Sequence, residues 1–168
     1  SNESYELEKK QVDLLMSQRV DGILISLANG TADFSHLTDV IDQEKPLVMF
    51  DKIAKLVRCS KVVINDIQAA YAATQHLIDT GCKRIAHFRG PLLPQNSIDR
   101  FLGYKKALQD NNMQYDPSLV YICQCSDESC EEGKKNAIQL LKDHQDVDGI
   151  FINTDLVAVG AISEFNKL

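Results

Sequence analysis

The sequence has no tryptophan, only four prolines in 168 residues, and no apolar run near the ~18 residues that a membrane-spanning helix requires. The missing run excludes a helical membrane protein. No Gly/Ser linker and no internal repeat interrupts the chain, and 44% apolar against 25% charged residues is a globular balance, which excludes a disordered or low-complexity chain. Positive charge is in deficit: 18 Lys plus Arg stand against 24 Asp plus Glu, a net charge of −6. Phosphate contacts need a concentrated basic surface, so the chain as a whole is not a nucleic-acid binder. Its one basic cluster, Lys52, Lys55, Arg58 and Lys61, reads as a solvated connection. The five cysteines, Cys59, Cys82, Cys123, Cys125 and Cys130, are odd in number and lack CxxC spacing, which fits neither a disulfide framework nor a zinc site. A cytoplasmic home is the simpler reading. Cys123 and Cys125 would point the same way on one strand, which leaves a redox pair open. The N-terminus has no secretory-signal profile, although a processed exported chain would lack one as well.

Enzyme signatures are also missing. There is no GxGxxG, no GxxxxGK[ST], no GxSxG and no HExxH, and His36, His76, His87 and His144 are scattered. No catalytic residue, metal ligand or cofactor can be nominated, so the expectation is a protein that is not an enzyme.

What the chain does have is a regular alternation. Apolar runs of strand length at Gly22 to Ser26, Pro46 to Asp51, Lys61 to Ile64, Arg84 to Phe88, Val120 to Cys123 and Gly149 to Asn153 are separated by amphipathic stretches at helical spacing. The helices are expected near Tyr5 to Met16, Asp33 to Gln43, Ile67 to Ile78, Ser97 to Asn111, Ser129 to His144, and from Asp155 to the end. Nearly continuous apolar strands between such helices mean parallel strands covered by helices, an α/β doubly wound class. Open parallel sheets bind ligands beyond the C-terminal ends of their strands. The polar groups found there are Ser26, Asp51, Asn65 with Asp66, Arg89, and Asn153-Thr154-Asp155. A carboxylate, amides and hydroxyls suit a neutral polyhydroxylated ligand. Asn65, Asp66 and Asp155 are equally well placed as simple helix caps.

Read in order, Arg19-Val20-Asp21-Gly22-Ile23, Pro46 to Lys52, Asp66 to Ala70, Lys83-Arg84-Ile85-Ala86, Gly90-Pro91, Arg100-x-x-Gly103-Tyr104 and Asp155-Leu156-x-Ala158-x-Gly160-Ala161 form a specific set. The chain resembles the effector-binding core of the lactose-repressor family of bacterial transcription regulators, which is related in fold to periplasmic sugar-binding proteins. The resemblance runs through almost the whole chain. It implies a two-lobed periplasmic-binding-protein-like fold, present as an incomplete portion: an N-terminal lobe over 1–64 and a C-terminal lobe over 65–168, both incomplete, with a crossover at Asn65 and Asp66. A small-molecule effector, a sugar or sugar derivative, is implied in the cleft between lobes, and a homodimer and operator DNA through a domain outside this chain are implied with it. Carried over, Asp51 matches the first-lobe carboxylate on effector hydroxyls. Arg100 matches the second-lobe arginine that donates a forked pair, and Thr154 with Asp155 match the polar pair at the next strand end. Ser26 is a further candidate from its strand-end position.

Three departures stand out. Thr154 replaces the usual Asn before the aspartate, with Asn153 one position earlier. Cys125 falls where several members place an aromatic ring that stacks on the ligand, and Lys52 stands where Arg is common, which removes a planar fork. The implied function is an allosteric sensor that alters operator binding. The alternative is an exported periplasmic sugar-binding protein of a transport system, which shares fold and cleft.

Overall fold

The computed structural model describes residues 1–125 and 128–167. The chain divides into two compact units: Ser1–Ile64 with Leu93–Asn96, and Asn65–Leu92 with Ser97 onward.

The first unit opens with α1 (Tyr5–Ser17), started by Ser4, whose side chain accepts from the Leu7 amide, with Glu6 and Glu8 in the first turn. Strands β1 (Ile23–Ile25), β2 (Leu47–Phe50) and β3 (Ser60–Val62) form a parallel sheet in that order, and α2 (Ser35–Asp42) lies between β1 and β2. Val12, Ile23, Leu37, Val40, Leu47 and Met49 close one core beneath α1 and α2. On the opposite face of the sheet Leu24 and Val62 are exposed. The third strand starts one residue earlier than its apolar run predicts and stops at Val62, where the Asp51 amide donates to the Val62 carbonyl. Val63 and Ile64 follow outside the ladder.

A buried polar knot ties α1 to the loop after β1. The Glu8 carboxylate, 3% exposed, accepts from the Ala28 amide, from Thr31 Oγ1 at 3.1 Å and from His36 Nε2 at 2.9 Å. A buried carboxylate is tolerable only when its lone pairs are satisfied in this way.

The second unit is built on β4 (Ile85–Arg89), β5 (Val120–Ile122) and β6 (Gly149–Ile152), parallel in the order β5-β4-β6. Central β4 is buried at all five positions. Its alternation divides two cores: Ile85 packs with Tyr104 and Leu108, while Ala86 and Phe88 pack with Ala137, Leu140 and Val157. The helices are α3 (Asp66–Asp79), α4 (Gln95–Asp110), α5 (Ser129–Asp143) and α6 (Asp155–Phe165). Asn65 caps α3 by accepting from the Gln68 amide, and Gly81 at φ +103° ends it. Tyr104 on α4 donates its hydroxyl to the Ile85 carbonyl at 2.8 Å, which fixes α4 against β4. Leu168, included in the expected last helix, lies outside the described residues.

The strand expected over Val120 to Cys123 ends one residue earlier, and the condition set for a redox pair is not met. Cys123 and Cys125 do not share a strand, because β5 ends at Ile122 and Cys125 takes a left-handed φ of +53°. Cys123 is buried with Asn136 Nδ2 donating to its sulfur at 3.2 Å, and burial pushes its thiol up to about 12.

Candidate functional site

The residues singled out from the sequence fall at the C-terminal ends of strands in both units. In the second unit they converge on Arg100. This side chain rises from the second turn of α4, and its Nε donates to Asp66 Oδ1 at 2.7 Å while Nη1 donates to the Asn153 carbonyl at 3.0 Å. Asp66 opens α3 and is 8% exposed, so its charge sits at the positive end of a helix dipole and against a guanidinium. Two of the five arginine donors are thereby engaged, and the plane of the fork is held from two elements. Asn153 is the residue after β6, its amide donates to the Phe88 carbonyl at 2.9 Å, and its Oδ1 is buried without a hydrogen bond among the described residues.

Thr154 is the N-cap position of α6, and Asp155 is the helix's first residue and is exposed. Thr154 Oγ1 lies 3.8 Å from Cys125 Sγ, so a small thiol stands beside the threonine where the resemblance implies an aromatic ring. The loop that carries Cys125 is held by Glu132 of α5, whose carboxylate accepts from the Gln124 and Cys125 amides at 2.9 and 3.0 Å.

In the first unit Ser26 follows β1 and is half-buried, and the next amide, Leu27, donates to the Lys52 carbonyl at 3.0 Å. Asp51 follows β2 at φ +55°, a left-handed backbone uncommon outside glycine, and its exposed carboxylate accepts from Asn96 Nδ2 at 3.1 Å. Lys52 reaches Glu3 at 2.6 Å and the Asn29 side chain at 3.2 Å. Lys61 donates to backbone carbonyls of Val57 and Cys59, so Lys52 and Lys61 of the basic cluster both have internal partners. Asn65 is a true cap of α3, and Asp66, expected at a crossover, is the partner of Arg100.

Sequence reasoning missed the Asp66–Arg100 pair, because 34 positions separate the two and no local pattern links them. It also missed Glu132. Ser129-x-x-Glu132 has the spacing of a capping box, yet the carboxylate turns to the preceding loop. The strand ends thus offer hydrogen-bond donors and acceptors in fixed positions. Among the described residues no group of three or more His, Cys, Asp or Glu side chains is placed to hold a metal ion. No helix among them is long and apolar enough to cross a membrane.

Residues 1–168 match the periplasmic binding protein domain family. The chain belongs to that family. Within it, the chain is 29% identical over 162 residues to the ribose operon repressor of Halalkalibacterium halodurans, covering 96% of this chain and 45% of that protein. It is similar to the crystal structure of the transcription regulator CcpA of Lactococcus lactis, with a TM-score of 0.82 and 31% identity over 96% of this chain and 57% of that one. It is also similar to the transcriptional regulator CelR in its cellobiose complex, with a TM-score of 0.84 and 28% identity over 98% of this chain and 49% of that one. This periplasmic binding protein domain therefore has repressors and transcription regulators as its relatives. The chain spans about half the length of the curated relatives it matches.

Proposed function

We propose that this chain is the effector-binding portion of a bacterial transcription regulator of the lactose-repressor family. It senses a sugar or similar small polar ligand at the strand ends of its two lobes, 1–64 and 65–168. Binding then changes operator affinity through a DNA-binding domain outside these residues, in a cytoplasmic homodimer. The observation that carries this reading is the Arg100 fork, held by Asp66 and the Asn153 carbonyl beside Thr154 and Asp155. A fork fixed from two sides loses little freedom when it meets paired ligand hydroxyls. Asp51 and Ser26 supply the first-lobe acceptors. The relatives' names support the same reading: one represses a ribose operon and one is a regulator in complex with cellobiose. They also favour a regulator over an exported sugar-binding protein, because each is a repressor or transcription regulator at about 30% identity. An effector can act only through its different affinity for two arrangements, a coupling of about 1 to 3 kcal/mol in typical cases.

The test begins with a thermal-shift screen of mono- and disaccharides, sugar phosphates and nucleobases, followed by calorimetry on the best ligand. Arg100→Ala should weaken binding about 10- to 100-fold, the loss of charge-assisted hydrogen bonds. Arg100→Lys should fall between, since it keeps charge and loses the fork. Wild-type affinity in a folded Arg100→Ala protein rejects the assignment.

A further inference from the structure

Arg89 is the last residue of β4, and its side chain is not exposed as a strand-end arginine would ordinarily be. It is 8% exposed, its Nε is buried with no hydrogen-bond partner, and no ion pair engages it among the described residues. Its guanidinium lies over the Phe101 ring, with Cζ 4.3 Å from the centroid. Such a contact offsets only part of the desolvation of a charge. Buried charges in folded proteins are ordinarily paired, so an unpaired one calls for a physical reason.

The surroundings tell against an internal counter-ion. The rings about Phe101 are those of His87, Tyr104 and Tyr115, with Phe151 stacked on His87; none of them is a carboxylate, and a second cation, Lys105, lies over the same Phe101 ring. His87 donates Nδ1–H to the Phe151 carbonyl at 2.9 Å and is neutral, since burial lowers it to about 4 and the Arg89 charge adds to that lowering. Arg100, the neighbouring guanidinium, is neutralised by Asp66. Among the described residues Arg89 is thus an uncompensated cation at this strand end. Phe101 is half-buried in the second turn of α4.

We infer that Arg89, backed by Phe101, is an oxyanion-binding residue that takes a phosphoryl or carboxylate group, either free in solution or borne by the effector. The second source rests on the effector reading above; the first does not. The fork geometry of arginine suits both groups, and an aromatic plate behind the guanidinium fixes its plane.

The experiment uses the full chain and three probes: inorganic phosphate, a hexose, and the corresponding hexose phosphate. In the wild-type protein the Arg89 Nε–H resonance, assigned by its loss in Arg89→Met, should move saturably with inorganic phosphate, and the melting temperature should rise. Arg89→Met keeps an unbranched chain against Phe101 and should show no phosphate-dependent rise. If the effector bears the group, the hexose phosphate binds at least tenfold more tightly than the hexose, and that advantage disappears in Arg89→Met. A phosphate response without any hexose binding keeps the Arg89 site and removes the sugar-effector reading. Hexose binding with an unmoved Arg89 resonance, and equal affinities for the two hexoses, overturns the inference and leaves that reading intact. Should Arg89→Met fail to fold, Phe101→Leu serves to assign the resonance by its displacement, and the wild-type titration decides alone.

Discussion

His87 and Glu8 show how much of this protein's stability rests on single buried polar groups. His87 is fully buried among Phe101, Tyr104 and Phe151, and burial lowers it to about 4 from an ordinary value of 6.5. The unfolded chain therefore takes up a proton that the folded chain refuses. The stabilising effect is present in full above pH 6.5 and is lost as pH falls towards 4, a change of about 3 kcal/mol. Urea melts of the second unit at pH 7 and pH 4.5 should show this slope, and His87→Leu should flatten it although it leaves the Phe151 carbonyl unpaired. An equal slope in both proteins contradicts the assignment. Glu8 differs in kind, because its carboxylate is the shared acceptor for Ala28, Thr31 and His36. Glu8→Ala should cost the first unit about 3 kcal/mol, the penalty for removing one side of a buried polar pair, measured as a lowered urea midpoint. A loss under about 0.5 kcal/mol, the range of a surface substitution, removes Glu8 from that role. From the sequence Glu8 reads only as a first-turn glutamate suited to a helix start. Its partners lie 20 to 28 positions away, and nothing local reports them.

At the scale of elements, the contact between α5 and α6 is made by two glycines. A Cβ on Gly133 would stand 2.1 Å from the Val157 carbonyl oxygen, and one on Gly160 would stand 1.9 Å from the Cys130 carbonyl oxygen. Backbone occupies both spaces, so neither side chain can be accommodated by a rotamer change. Gly160→Ala should destabilise the second unit by at least ~2 kcal/mol as the helices separate. The double variant with Gly133→Ala should cost less than the sum, since one separation relieves both clashes. Additive losses in thermal unfolding would show that the two glycines act independently. The helices and strands themselves are legible in the sequence, because periodicity is a local signal: among the described residues the six strands and six α-helices lie within a few residues of where spacing predicts them. Boundaries at β3 and β5 are the exceptions, since where a strand stops depends on its neighbour; pairing ends at Val62 and Ile122 although apolar residues continue. The strand-end polar residues are legible for the same reason as the strands. Arg100 is not, because only the fold brings α4 to Asp66, and its role comes from the family resemblance. Arg89 reads as a strand-end polar group, but its burial against Phe101 does not.

For the whole molecule, the division of the cores between units matters more than total length. Val12, Leu37 and Met49 belong to the first unit's cluster, the clusters of Phe88, Leu140 and Val157 and of Ile85, Tyr104 and Leu108 belong to the second, and no residue is shared between the units' clusters. Calorimetry should therefore resolve two unfolding transitions, with Glu8→Ala lowering one and Gly160→Ala the other; a single transition lowered by both variants contradicts separable units. The net charge of −6 and the internal partners of Lys52 and Lys61 make a related expectation, that this chain by itself gives no mobility shift with duplex DNA at physiological ionic strength. The same calorimetry tests the proposed function without a prior choice of binding residue. A ligand that binds only the native state adds about 2.7 kcal/mol at a hundredfold excess over Kd, and it adds it to whichever cooperative unit must unfold to release it. On the proposed assignment of Arg100, Thr154, Asp51 and Ser26 as effector contacts, unfolding of either unit releases the effector. Both transitions should then rise together and draw closer as ligand is added. If the second alone rises, Asp51 and Ser26 lose their assigned roles while Arg100 keeps its own, and the first unit's contribution to recognition must be sought elsewhere on its sheet.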